Sequence, residues 1–374
     1  MRAKDVIKFL KAKDYIFLQD IGQGGTGNTK LIRDETIDEN FICKKYSPFN
    51  PTDKALYYCN FVEEIKILYK INHPNIVRVF NYYLYPEQTT GFILMEYIDG
   101  LDIDKYILAN PDSINDVFIQ TITGFKYLED KMILHRDIRF SNILISNEGI
   151  VKIIDFGFGK NVESFEDYGK SITLNWSYSL PNEFEKSIYD FRTEVYFVGK
   201  LFERIINMNR DAAQTFKYST LLSEMIAIDY NNRASSFFNV SRKITATDSL
   251  DIKFEANEKK IYSEMAQALT YVCASMDCSA KYVINPEEIK NGLENLCQKS
   301  ILEEFIQQNN LLVSCFITPP YRCIRRNDIL VSTAFEFKQW FENLSENKQR
   351  IVLNNLWTRF DNINRTNKDD ELPF

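Results

Sequence analysis

The stretch LHRDIRFSNILI, residues 134–145, sets a histidine, an arginine and an aspartate between apolar runs and places an asparagine five residues after the aspartate. A polar turn between buried segments would account for His135, Arg136 and Asp137 alone. It does not account for Asn142, or for Asp155, which follows the apolar run VKII at 151–154. Carboxylate and amide oxygens are hard ligands suited to Mg²⁺, which binds through a few protein oxygens together with phosphate oxygens. Asp137, Asn142 and Asp155 at the ends of apolar strands make a poor core and a good metal–phosphate site. The five-residue gap lets an acid and a metal ligand rise from one turn.

Working outward, a chain of 374 residues suggests two or three compact units. Hydrophobic residues make up 45% and aromatics 14%, enough for real cores, so wholesale disorder is excluded. A net charge of -7 argues against coating nucleic acid or anionic lipid, and the densest basic cluster, Arg322, Arg325 and Arg326, is small. No segment approaches the length of a membrane span. The N-terminus, MRAKDVIKFLKAKDYIF, alternates charged and apolar residues and lacks the apolar stretch of a secretory signal. The seven cysteines have no regular spacing and read as reduced thiols of a cytoplasmic protein. Cys273 and Cys278 have no histidine near them, so they do not read as half of a zinc site.

The first hundred residues read as strands and one helix. YIFLQDIGQGG looks like a strand entering a glycine-rich turn, with FICKKY and GFILMEYI as further strands. Phe61, Glu64, Ile65, Leu68 and Ile71 share one helical face. Beyond Gly100 the pattern is mostly helical, with short strands around residues 134–145 and 151–159. Near residue 250 the sequence turns polar and extended (ATDSLDIKFEANEKK), which places a boundary there. After it come a helix near 258–274 and another opening at Asn285-Pro286-Glu287-Glu288, a good helix start. LLVSCFIT and DILVSTAF read as two strands able to pair before a final helix through QWFENLSENKQRIVLNNLWTRF. That order is compatible with a winged-helix-like module.

Gly22, Gly24 and Gly27 form a G-x-G-x-x-G, in which bare backbone lets amides approach a phosphate closely. Alone the motif is weak, because dinucleotide folds use it too; here a strand follows it rather than a long helix. FICKKY offers two lysines, and strand alternation lets only one of them face the ligand beneath the glycines. Glu64 lies on the apolar face of its helix, where a carboxylate needs a cationic mate, and a lysine of the adjacent strand is the natural one.

Taken in order, these motifs resemble those of the eukaryotic-type protein kinases, of the serine/threonine class, over about residues 14–245. Gly22, Gly24 and Gly27 match the phosphate-covering loop, and Glu64 stands in EIKILYKINHPNIVRVF, similar to the family's third helix and the turn after it. MEYIDG from Met95 resembles the hinge that bonds adenine through its backbone. HRDIRFSN resembles the catalytic loop, and Asp155-Phe156-Gly157 the metal-binding motif. SYSLPNEF resembles the segment closing the activation loop, with Arg233 as the partner of an acid near Pro181. The resemblance implies an α+β bilobal fold: a small, mostly β N-lobe with one long helix at 1–97 and a larger, mostly α C-lobe at 98–250. Residues 251–374 carry no motif that identifies a family and are left as a helical or mixed accessory region through which a partner or a second copy would bind.

The resemblance further implies transfer of the γ-phosphoryl of ATP to protein Ser/Thr hydroxyls, with Mg²⁺ or Mn²⁺ and with autophosphorylation. Catalytic roles fall to Asp137, Lys44, Glu64, Arg139 and Asn142, and metal binding to Asn142 and Asp155. Nucleotide contacts fall to Ile21, Gly22, Gly24, Gly25, Gly27, Thr29, Ile42, Lys44, Met95, Glu96, Ile98, Asp102 and Leu144. Register favours Lys44 as the phosphate lysine; Lys45 in that role would leave Lys44 facing the small-lobe core, but would put Cys43 rather than Ile42 against adenine.

Several positions depart from the family pattern. Thr29 stands for a valine over adenine, and Arg139-Phe140 for Lys-Pro. Glu194 stands where an aspartate braces the catalytic loop. The acid expected near Pro181 is either absent at Asn182 or displaced to Glu183. The stretch from Gly199 to Arg233 is short, so the helix there is trimmed. In the activation loop, Ser164, Tyr168, Ser171 and Thr173 are candidate phosphorylation sites, with Arg136 as the cation a phosphate would meet. Two other classes fit the motifs less well: a nucleotide-sensing pseudokinase, and a small-molecule kinase sharing the Asp-to-Asn spacing.

Overall fold

The FICKKY segment becomes the middle strand of an antiparallel five-stranded sheet. In chain order its members are β1 (Ile16–Gln23), β2 (Gly27–Asp34), β3 (Glu39–Tyr46), β4 (Val79–Tyr85) and β5 (Thr90–Glu96), arranged β1-β2-β3-β5-β4. The computed structural model describes residues 13–23, 27–48, 54–157, 159–161, 180–183, 188–249, 252–324 and 328–366. Between β3 and β4 runs α1 (Lys54–Lys70), which lays Phe61 and Ile65 against Tyr46 and Ile93 of the sheet. Those four side chains are almost wholly buried, at about 1.5–3 kcal/mol for each fully buried large apolar side chain. Glu64 sits on the same helix face and is carried into the interior with them.

After β5 the chain crosses into a mainly helical region. The elements are β6 (Gly100–Asp102), α2 (Ile103–Ala109), α3 (Ile114–Asp130), β7 (Ile133–Leu134), β8 (Ile143–Ser146), β9 (Val151–Ile153) and β10 (Lys160–Asn161). A small sheet, β6-β8-β9, and the pair β10-β7 bracket residues 134–145. Gly100 is required where β6 meets β8, since a Cβ there would collide with the Ile145 carbonyl oxygen. Then come α4 (Phe191–Met208), α5 (Arg210–Thr215), α6 (Ser219–Met225) and α7 (Phe237–Asp248). Asp190 caps α4 reciprocally with Thr193, and Val195, Phe197, Val198, Leu201 and Phe202 bury its apolar side. Between α4 and Arg233 lie the six-residue α5, the seven-residue α6 and a 3-10 turn at Tyr230–Asn232.

Contacts divide the chain into two compact units, Met1–Ser241 and Arg242–Phe374. Of the polar stretch near residue 250, only residues 252–255 among those described lie outside helix, because helices take up both of its ends. The second unit holds α8 (Ala256–Val272), β11 (Cys273–Asp277), α9 (Pro286–Lys299), α10 (Asn309–Ser314), β12 (Tyr321–Cys323), α11 (Val331–Glu342), α12 (Glu346–Phe360) and β13 (Arg365–Thr366). Asn285 caps α9 by accepting the Glu287 N–H. The strands form one sheet, β12-β11-β13, antiparallel on one side and parallel on the other.

The expected hairpin of LLVSCFIT with DILVSTAF is not there. The first half of the first segment belongs to α10 and the second enters α11; Leu312 and Val313 are buried from α10, Phe316 from the turn after it, and Ala334, Phe337 and Phe341 from α11. Short apolar runs cannot separate strand from buried helix by periodicity, and tertiary burial decided against the strand. This removes the winged-helix-like order. The single final helix is also two, broken before Ser345, whose side chain caps α12 at the Lys348 N–H.

Candidate active site

Residues 135–142 span the gap between β7 and β8, and their backbone is fixed from below. Glu194, on the first turn of α4, accepts the main-chain N–H of His135 at 2.7 Å and of Arg136 at 2.8 Å through one carboxylate oxygen. Tyr189 O–H donates to the same oxygen at 3.3 Å. Arg136 has φ +65°, a left-handed conformation that a non-glycine residue holds only when its surroundings enforce it. Its guanidinium lies over the Tyr189 ring, 5.3 Å from the centroid. Burial is the main reason the Glu194 carboxyl is pushed up to about 8, against the pull of the Arg136 and His135 N–H groups.

His135 packs edge-on against Phe156, ring centroids 4.8 Å apart, and its Nε2 donates to the Ile154 carbonyl at 2.9 Å. The other ring nitrogen accepts the Asp137 N–H at 3.3 Å. Burial lowers the His135 pKa, in keeping with a neutral ring donating at one nitrogen and accepting at the other. The buried histidine thus ties the loop of Asp137 to the strand end of Asp155.

Asp137 and Asn142 meet as a pair. The Asn142 amide nitrogen donates to the Asp137 main-chain oxygen at 2.8 Å and to its carboxylate at 2.7 Å. Arg139 places a guanidinium nitrogen 3.2 Å from the same carboxylate oxygen, with 57% of its side chain exposed, so this cation stands at the open mouth of the site.

Lys44 links two carboxylates. Its Nζ lies 2.7 Å from Glu64 Oε1 and 3.0 Å from Asp155 Oδ1. Burial by itself would lower the Lys44 pKa, but the charges of Asp155 and Glu64 outweigh it and hold the ammonium protonated. Lys44 in turn is the main reason Asp155 is drawn down to about 2, with the Gly157 N–H also donating to its carboxylate. Asp155 has φ +60°, a second enforced backbone position, and the Phe156 that follows it is fully buried. Lys45 points to the opposite face of the sheet, exposed, with its ammonium 5.7 Å from the Phe92 ring centroid.

Several of the residues expected to contact nucleotide lie on the paired strands around this site. Thr29 pairs with Lys44, and Ile42 pairs with Met95 across β3 and β5. Leu144 pairs with Asp102 across β8 and β6, and the Asp102 carboxylate holds Lys105 at 2.6 Å. Glu96 is committed on two counts: its N–H donates to the Arg78 carbonyl at 2.9 Å and its carboxylate holds Lys152 at 2.7 Å. Ile98 is half-buried, and Ile21 and Gly22 are exposed. A Cβ on Gly27 would come 2.9 Å from the Lys45 carbonyl and 3.4 Å from the Lys44 side chain, so glycine lets β2 close over β3 at the lysine. Gly24 and Gly25 lie outside the described residues, as do Ser164, Tyr168, Ser171 and Thr173.

Of the two acid positions left open near Pro181, the structure pairs Glu183 with Arg233. Both side chains are buried, and a second guanidinium nitrogen reaches the other carboxylate oxygen at 3.3 Å. Asn182 is exposed. Tyr189 and Asn75 were not singled out from the sequence. The Asn75 amide bonds Gln120 at 3.0 Å and the Val151 carbonyl at 3.1 Å, joining the turn after α1 to β9. The asparagine of the HPN turn was a usable signal for that; nothing local marked Tyr189.

Comparison with known proteins bears on this geometry. The family model described as protein kinase domain matches residues 15–285. A probable serine/threonine-protein kinase, MRK1 homolog, of Encephalitozoon cuniculi is 32% identical over 196 residues, 51% of this chain and 59% of that protein. Serine/threonine-protein kinase PrkC of Bacillus subtilis is 27% identical over 245 residues, 63% of this chain and 37% of that protein. Mouse serine/threonine-protein kinase Nek1 is 28% identical over 191 residues, 50% of this chain and 16% of that protein. The matched region thus spans less than two thirds of the length of each of these relatives. Among the described residues, no helix is long and apolar enough to cross a membrane.

Proposed function

The chain belongs to the protein kinase domain family, and from that premise we propose that it transfers the γ-phosphoryl of ATP to serine or threonine hydroxyls of proteins, itself included. The observation that carries this reading is the double ion pair of Lys44 with Glu64 and Asp155, together with the Asp137–Asn142 pair that His135 ties to the strand end of Asp155. Lysine held by two acids has no structural need of both, whereas a lysine waiting for phosphate and an acid waiting for a cation would shield each other in this way.

In the proposed mechanism Asp137 orients the acceptor hydroxyl and takes its proton, the carboxylate being held in place by Asn142. Lys44, fixed by Glu64, donates to α/β-phosphate oxygens, and the backbone amides of the Gly22–Gly27 turn cover the β/γ-phosphates. Arg139 adds positive charge at the mouth, beside the hydroxyl acceptor. The Glu96 carbonyl and the Ile98 amide serve adenine, between Ile42 above and Leu144 below; Glu96 is restricted to its carbonyl because its N–H and carboxylate are already engaged.

The site also fits a divalent cation. The Asp155 carboxyl is drawn down to about 2 and stays ionised, and both Asn142 contacts use the amide nitrogen, leaving the amide oxygen as a hard donor. Asn142 and Asp155 would hold Mg²⁺ or Mn²⁺, which when bound neutralises charge on the phosphate oxygens. Autophosphorylation is assigned to Ser171 or Thr173, where a phosphate would make charge-assisted bonds to Arg136.

Incubating the protein with labelled ATP and Mg²⁺, alone and with casein or myelin basic protein, tests the reading. Label on phosphoserine or phosphothreonine, lost in Asp137→Ala, is the expected result. Nucleotide binding without transfer would replace this reading with a sensing pseudokinase, and phosphotyrosine alone would overturn the hydroxyl assignment.

A further inference from the structure

In the second unit, β11 and β12 bring Cys273 directly opposite Cys323. The neighbouring pair is hydrogen-bonded, Ile324 N–H donating to the Val272 carbonyl at 2.9 Å. Antiparallel pairs alternate, so Cys273 and Cys323 occupy a non-hydrogen-bonded position, where opposed α-carbons lie about 4.5 Å apart and side chains converge on one face. A disulfide takes α-carbons roughly 4.4–6.8 Å apart, and the backbone is therefore already spaced for one. Both residues are free thiols, Cys273 buried and Cys323 half-buried. Burial, and after it the nearby Cys323 sulfur, push the Cys273 thiol up to about 11. Cys278 is exposed, and the Cys315 thiol donates to the Leu311 carbonyl at 3.2 Å within its own helical turn. Among the described residues no cluster of three histidine, cysteine or acidic side chains is placed to hold a metal.

We propose that Cys273 and Cys323 are a redox modification site, closing to a reversible cross-strand disulfide under a hydroperoxide such as hydrogen peroxide. Cys323, the more accessible, reacts first. Its sulfur attacks one peroxide oxygen, the O–O bond breaks, and the thiol proton leaves with the departing hydroxide as water. The resulting sulfenic acid is attacked by the Cys273 sulfur; the S–S bond forms, the S–O bond breaks, and a second water carries off the Cys273 proton. Two electrons pass from the sulfurs to the peroxide, and a dithiol reverses the change. Because burial raises both thiols, the pair answers sustained exposure rather than a brief pulse. The closed bond joins both ends of the segment that carries α9 and α10, which stabilises the unit by restricting its unfolded chain.

The full-length protein, treated with hydrogen peroxide, alkylated and mapped without reduction, tests this. The expected result is one cross-linked peptide joining Cys273 to Cys323, with the loss of two hydrogens in intact mass. Dithiothreitol should reverse it, and Cys323→Ser should lack it. The melting midpoint of the wild type should rise by several degrees on oxidation, with no rise in Cys323→Ser. Cys273→Ser is not relied on, because that side chain is buried. Sulfinic acid at Cys323 without the cross-link overturns the proposal, as does the same mixture of pairings in the folded protein as in the denatured one.

Discussion

Glu194 accepts the main-chain N–H of Arg136 at 2.8 Å, one residue before Asp137, so an acid on α4 sets the backbone from which the proposed base projects. In the folded chain this carboxyl keeps its proton up to about pH 8, while in the unfolded chain it releases it near 4.5. The stability gained from the bound proton is full below the unfolded value and is lost as pH rises through the folded one. Glu194→Gln cannot ionise. The melting temperature of wild type relative to Glu194→Gln is therefore expected to fall between about pH 4.5 and pH 8. Parallel curves across that window would show that Glu194 does not hold a proton in the fold.

The two lysines of β3 should behave differently. Lys44→Met removes a buried cation bonded to two carboxylates and is expected to cut turnover by roughly a thousandfold, about 4 kcal/mol. Lys45→Met, on the outer face, should stay within about threefold of wild type. Steady-state kinetics on both variants decides; the opposite ranking rules out Lys44 as the phosphate lysine.

Asp155→Asn keeps the shape of the side chain and removes its charge. Phosphoryl transfer should drop by about three orders of magnitude or more, while circular dichroism stays that of the wild type. Unchanged turnover at saturating ATP would remove Asp155 from the cation site.

The Glu183–Arg233 pair is buried on both sides, so removing one partner strands the other charge. Arg233→Met is expected to destabilise the first unit by about 3–5 kcal/mol in chemical denaturation. The double variant Arg233→Met/Glu183→Leu should recover much of that loss. A single-variant cost under about 1 kcal/mol would mean that water or another cation compensates the carboxylate.

The sequence by itself determined the local chemistry: which turn carries Asp137 and Asn142, which strand carries the lysines, which helix carries Glu64. These follow from periods of two and 3.6 residues and from the cost of burying an unpaired charge, both readable within a few residues. What pairs across the chain was decided only by the tertiary structure. Glu194 meets Arg136 over 58 residues, Glu183 rather than Asn182 meets Arg233 over 50, and Lys44 reaches Asp155 over 111. No local signal marked Tyr189, whose ring meets Arg136 and whose hydroxyl meets Glu194 only in the folded chain. The same limit explains the missed helices α10 and α11. LLVSCFIT suits a strand by propensity, but a short helix buries Leu312 and Val313 and the turn after it buries Phe316. Burial of apolar surface depends on what the rest of the chain supplies, and that outweighs the smaller preference written into the segment.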